Sequence, residues 1–376
     1  MTVENMIANI SGVKEHEMIK KNRYCAVSKS VPNKVYCFST PVFEHEKGKL
    51  VPENFVYGKD CYEFHGSNGF IRIYQDVIHF IRESDKIEVA FAEAQAFRLA
   101  NHGKLLKSKD LLIYPTLNGI LIKESIIGKH RSILNICSRT KKAPKNNSKY
   151  FALMKGKFEP LFTVNAMYAE NRYGSVFYHA AVAVKKISEE VYRLELNANE
   201  NAERIVYEMN LYEPKLFQDT TVESRRPNEN NVYGGIAFLG NSPDCGTQLL
   251  YSRIDTSKLW DTKHSLFERV RLFVPYYMTT GKPLQLYAPL KRFCSFGSNW
   301  ANRIQSSDLH IQGEWRHGFL VFDLSAYLLK KAGNLQELDG FVIQPNRNED
   351  SFSVIATADN YFTPQILELT LKTKEK

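Results

Sequence analysis

Short runs of alternating apolar and polar residues, spaced about eight to twelve residues apart by Gly, Pro, Asn, Asp and Ser, constrain this chain more than any other feature. "GFIRIYQ" is representative. Ile71 and Ile73 fall on one face, Arg72 and Tyr74 on the other, as period two requires. Similar runs follow in "GILIKESIIG", "EPLFTVNAMYA", "VFYHAAVAVKKI" and "VYRLELNAN". No amphipathic helix of about ten to fifteen residues alternates with them, which argues against a parallel sheet built from βαβ units. One segment, "IEVAFAEAQAFRLA", is ambiguous: Val89 and Phe91 suit a strand, its alanines a helix.

After Pro214 the pattern repeats in kind. Val270, Leu272 and Val274 share one face, as do Leu284, Leu286, Ala288 and Leu290. "GFLVFDLSAYLLKKAGN" predicts a strand running into one short helix, capped by Ser325 and stopped at Gly333-Asn334. "GFVIQPN", "FSVIATADN" and "QILELTLK" close the chain as three strands. The expected fold is therefore all-β. Two β-sandwich, jelly-roll-like domains, 35–213 and 214–376, follow an amino-terminal arm over 1–34, with few short helices. Residues 376 in number allow two cores without help from disulfides.

The first residues place Glu4 early and interrupt the apolar run at Asn9 and Ser11, unlike a secretory signal. No apolar run reaches the ~18 residues that span a bilayer. The chain is accordingly expected in the cytosol until it joins a spore surface or phage-like particle. The six cysteines, at 25, 37, 61, 137, 245 and 294, contain no CxxC pair and read as buried or half-buried free thiols.

The net charge of +9 is concentrated between Ser125 and Phe158, which hold nine basic residues and no acid. Lys129, Arg131, Arg139, Lys141, Lys142, Lys145 and Lys149 form a candidate anion-binding patch there. The alternative is a solvated loop, since "TKKAPKNNSK" has loop composition. Neither a membrane nor a sequence-specific nucleic-acid partner is expected.

Catalytic and metal motifs are missing from the sequence. There is no HExxH, no HxH and no G-x-S-x-G; "FHGSNGF" instead reads as a hairpin with its turn at Ser67-Asn68-Gly69. Oxygen-rich stretches at 346–350 and 358–360 lack calcium-loop spacing and read as turns. "YGGIAFLGN" lacks the following helix that a phosphate cradle needs. No enzyme, metal or cofactor is expected.

Four stretches in order, "FQDTTVESRRPNENNVYGG", "IAFLGN", "LLYSRIDTSKL" and "GFLVFDLSAYLLK" with its closing "LDGFVIQPN" and "ATADNYFTPQILELTL", resemble a DNRLRE-type domain. That family is a β-sandwich module of bacterial surface, wall-associated and polysaccharide-binding proteins. "VYCFSTPVFEHEKGKLVPENF" resembles the segment that precedes such modules. The resemblance implies that "QDTTVESRRPNENNVYGG" is a sandwich corner. Asp219 would accept amides of its own turn, Asn228, Asn230 and Asn231 would adopt positive φ, and Gly234-Gly235 would let strands turn closely.

Two functions fit such a chain. One is a non-enzymatic structural or adhesion subunit of a bacterial surface, spore or phage-tail-like assembly, its partners being copies of itself or other structural proteins. The other is a module for acidic polysaccharide. Trp260, Tyr276, Tyr277 and Trp300 are then candidate stacking platforms, and Arg292 and Arg303 candidate partners for acidic sugars, against the plain alternative that sheet aromatics are packing.

Overall fold

A computed structural model of the protein describes residues 6, 8–10, 17–31, 33–43, 54–83, 85–92, 100–101, 105–108, 110–139, 143–259, 267–330, 340–346 and 351–372. It is all-β, built from three antiparallel sheets. The chain divides into two compact units. One comprises Met1–Leu50, Pro214–Val232 and Ile236–Lys376; the other comprises Val51–Glu213 with Tyr233–Gly235.

The division corrects the expected arm. Strand Lys34–Phe38 pairs antiparallel with Ile366–Leu371, Val35 opposite Leu369 and Cys37 opposite Leu367. Cys25–Ser28 pairs with Lys34–Phe38, and Met18–Lys20 adds outside it. Cys25, Ala26, Val35, Tyr36 and Cys37 are wholly buried. The amino-terminal strands thus complete the carboxy-terminal sandwich. Three to five residues are too few to show alternation, and their partner lies at the far end of the chain, so local pattern has no access to the pairing.

The sandwich of this first unit turns its corner through one long strand, Phe267–Thr280. Its first part pairs with Ile366–Leu371 and Phe319–Asp323. Past an irregularity between Tyr276 and Met278 it pairs with Phe352–Ala356. A bulge of this kind lets one strand serve two layers. Between the layers lies a core containing Val35, Leu239, Leu250, Leu272, Leu286, Phe322, Ile343 and Leu369. Val270, Leu272 and Val274 all face it, as their alternation predicts. Leu290 does not: it is 63% exposed, because the register slips between Tyr287 and Pro289.

The second unit is also a sandwich. An eight-stranded sheet contains the hairpin Tyr62–Gly66 to Gly69–Ile73, with Gly66 opposite Gly69 and the turn at Ser67-Asn68 as predicted. Asp85–Phe91, the first half of the ambiguous segment, is a strand in it; residues 93–99 lie outside the described set. The facing nine-stranded sheet is centred on Pro160–Glu170 and Arg204–Leu211. Phe80 from one sheet meets Phe162 from the other edge-on at 4.9 Å, and Phe151 meets Tyr192 at 5.4 Å.

Smaller expectations shift as well. The helix Ser325–Lys330 is short, as predicted, but Ser325 is its first residue, not its cap. The Asp323 carboxylate accepts the Ser325 N–H at 3.1 Å, while the Ser325 hydroxyl accepts from Val270 N–H. The predicted stop at Gly333-Asn334 lies outside the described residues. All six cysteines are free, and Cys294 is exposed instead of buried or half-buried.

Candidate functional site

The corner phrase from Leu216 to Gly235 opens on a strand of the first unit. Strand Phe217–Glu223 pairs with Gly246–Ile254, Asp219 opposite Ser252. Asp219, at 3% exposure, Thr220 and Thr221 are all buried in it. Asp219 does not bond its own turn. Its Oδ2 accepts the N–H of Ala358 at 2.6 Å, so it joins the first strand of the phrase to the turn before the last strand. Burial raises its pKa to about 7, against the opposing pull of that hydrogen bond and of Lys215.

The asparagines act through side chains, not positive φ. Among the described residues, Glu83, His130 and His317 are the non-glycine positions with positive φ. Asn230 Nδ2 donates to the carbonyls of Ser295 (2.6 Å) and Ser298 (2.7 Å), and Asn231 Nδ2 to Thr221 O (3.3 Å). Gly234 and Gly235 are buried, yet neither has positive φ. An amide side chain satisfies loop carbonyls as a turn backbone would, which explains why asparagines cluster without left-handed turns.

The loop pinned by Asn230 carries Trp300. This ring is half-buried against Val222, Tyr251, Tyr287, Phe293 and Val342. The Arg303 guanidinium lies over it, 4.1 Å from the ring centroid, and its Nη1 donates to Trp300 O at 2.9 Å. Trp300 and Arg303 are therefore brought together, but as each other's partners: one ring face is covered by the cation and the ring packs on core. Arg292 is exposed and electrostatically felt by Arg253. Tyr276 packs edge-on against Trp315 at 4.7 Å on the other core cluster. Tyr277 bonds through its hydroxyl to Thr363 (2.7 Å) and receives Asn360 Nδ2 (2.8 Å). Trp260 lies outside the described residues. The described candidate platforms do not form one aromatic face.

The basic segment is likewise taken apart by folding. Lys129, Arg131 and Arg139 are exposed, and Arg131 pairs with Glu195 of the neighbouring strand at 3.2 Å. Lys149 is 4% exposed. Lys145 is half-buried over the Tyr233 ring at 5.3 Å, and burial lowers its pKa. Lys141 and Lys142 lie outside the described residues. A segment free of acids along the sequence meets acids across the sheet, so the expected continuous patch is not formed by its described members.

One feature had no sequence signal. A cleft of about 510 Å³ opens in the first unit where Gly240, Asn241, Thr247 and Leu249 approach Gln344 to Asn346 and Phe352. The lining mixes amide and hydroxyl groups with one aromatic ring, a composition suited to a neutral, hydroxyl-rich ligand. Gly240, at φ 117°, lets the hairpin pass close to Ser351, whose carbonyl oxygen would lie 2.2 Å from a Cβ. No group of three or more His, Cys, Asp or Glu among the described residues could hold a metal ion.

No protein-family model matches the chain, and no curated protein matches it. Among solved structures, the N-terminal domain of a Streptococcus gordonii adhesin is similar over 94% of this chain and 93% of that one, at 8% identity and a TM-score of 0.19. A superposition that loose assigns neither fold nor function.

Proposed function

We propose that this protein is a non-enzymatic structural or adhesion subunit of a bacterial surface, spore or phage-tail-like assembly, associating through the edges of its sandwiches. The supporting observation is the uneven protection of those edges. Strand Ala180–Lys186 ends its sheet with exposed Lys185 and Lys186, and Pro144–Asn146 ends the facing sheet with a proline and a lysine. Charges and prolines of this kind blunt an edge. The opposite edge of the first of these sheets, Val56–Tyr57, instead presents two apolar side chains at 65% and 61% exposure. Neither residue of that strand is a charge or a proline, and an edge carrying apolar groups is suited to receive a strand from another chain.

Light scattering behind a sizing column tests this on the full chain. The expected result is a multimer that Val56→Lys with Tyr57→Lys reduces to monomer. A wild-type monomer at concentrations near ~100 µM, where interfaces of about 1,000 Å² or more normally hold, would overturn it. A second reading, polysaccharide binding, draws on the amide- and hydroxyl-lined cleft. Titration with neutral and acidic polysaccharides, comparing wild type with Asn241→Ala, reads it: no heat from either class sinks the polysaccharide reading.

A further inference from the structure

Lys215, Asp219 and Asp359 meet in the interior of the first unit, at 6%, 3% and 3% exposure. Such groups are seldom buried unless paired. The Lys215 amino group is in direct contact with the Asp359 carboxyl, and it lies 5.4 Å from the centre of the Tyr361 ring. Asp219 is bound to the N–H of Ala358, the residue before Asp359, and feels the Lys215 charge. Neighbouring bonds fix the turn. Asp359 N–H donates to Thr357 Oγ1 at 3.2 Å. Asn360 Oδ1 accepts from the N–H groups of Phe362 (3.1 Å) and Thr363 (2.8 Å) while its Nδ2 donates to Tyr277. The Asn360 carboxamide is thereby engaged, which leaves the Asp359 carboxyl as the acyl group facing the amine.

We propose that Lys215 Nζ and Asp359 Cγ join spontaneously in an intramolecular amide bond, with the Asp219 carboxyl beside them relaying the proton. In a dry interior the ionised pair is disfavoured, and transfer of one proton from ammonium to carboxylate gives a neutral amine and a neutral acid. The amine lone pair then adds to Cγ and a C–N bond forms. An amine proton passes through Asp219 to the Asp359 hydroxyl, the C–O bond breaks, and water leaves. No oxidant, reductant or co-reactant enters. Asp219, its pKa at about 7, holds a proton in part of the population near neutrality, as a relay requires. Holding the amine against the Asp359 carboxyl replaces a bimolecular encounter by an effective concentration of about 10⁵ M or more. The product is an uncharged amide where a buried ion pair stood. This proposal stands apart from the assembly reading, since it concerns one chain alone.

The test is tryptic peptide mapping of the purified full chain by mass spectrometry. An acylated Lys215 resists trypsin, so the expected product is Ile205–Arg225 covalently joined to Asn348–Lys372, lighter than their sum by one water. Dehydration confined to Asn348–Lys372 would be a succinimide at Asp359-Asn360, and it overturns the proposal, as does cleavage after Lys215 with both peptides at full mass. Asp219→Asn, checked for native near-ultraviolet circular dichroism, is expected to lose most of the linked peptide. Linkage at the wild-type level in that folded variant would remove Asp219 from the chemistry.

Discussion

Asp219→Asn makes a sharp electrostatic test because it removes a titration while keeping the shape. The asparagine Oδ1 can still accept the Ala358 N–H that Asp219 binds at 2.6 Å. Wild-type Asp219 has its pKa raised from 3.8 to about 7, burial being the largest cause. The sign follows from proton counting. Between pH ~4 and ~7 the folded state keeps a proton that the unfolded chain has lost, so stability falls as pH rises through that window. Below pH ~4 both states are protonated and the contribution is level. The shift of about three units, at ~1.4 kcal/mol each, sets a ceiling of about 4 kcal/mol. Over the span from pH ~5 to ~6.5 the wild type should lose about 2 kcal/mol relative to the variant. Urea unfolding of both proteins across that range measures it. Other groups, including His79, whose pKa burial lowers, titrate equally in both proteins and cancel in the difference. A covalent Lys215–Asp359 link would add an offset, so the change of the difference with pH is the readout. A stability difference that stays constant from pH ~5 to ~8 would refute the assignment of Asp219 as a buried, high-affinity proton site.

Two further outcomes follow from packing. Gly240→Ala places a Cβ 2.2 Å from Ser351 O at φ 117°, and should lower unfolding stability by about 2–3 kcal/mol in denaturant titration. Glu368→Gln leaves Arg271, bound at 2.8 Å through Nε, and Lys34 at 3.5 Å without their buried counter-charge; a loss of about 3 kcal/mol is expected, largely restored when Glu368 and Arg271 are both replaced by Met.

The strands that carry their own partner nearby were legible. The Gly66–Gly69 hairpin and the buried row Val270, Leu272, Val274 follow from alternation and turn residues alone. What could not be read is pairing between distant segments. Lys34–Phe38 pairs with Ile366–Leu371 from the other end of the chain, and three-to-five-residue strands carry too little pattern to announce it. The bulge that turns Leu290 outward is likewise set by the partner strand Ser306–Gln312, not by the residues of "PLQLYAPL".

The same limit governs the candidate sites. Charge density along the sequence located a basic segment, but Glu195 neutralises Arg131 from the next strand and the core takes Lys149. Trp300 and Arg303, three residues apart, do come together, yet their closeness serves to cap a core ring. Asp219 looked like turn chemistry because Asp before Thr and Asn usually is. Its actual partners, Ala358 by hydrogen bond and Lys215 by charge, lie on either side of a strand-to-turn seam that forms only in three dimensions. A buried acid, a buried amine and a second buried acid leave no trace in composition, because each residue alone is ordinary. Only their burial together makes proton transfer and acyl chemistry the cheapest way to remove charge from the core.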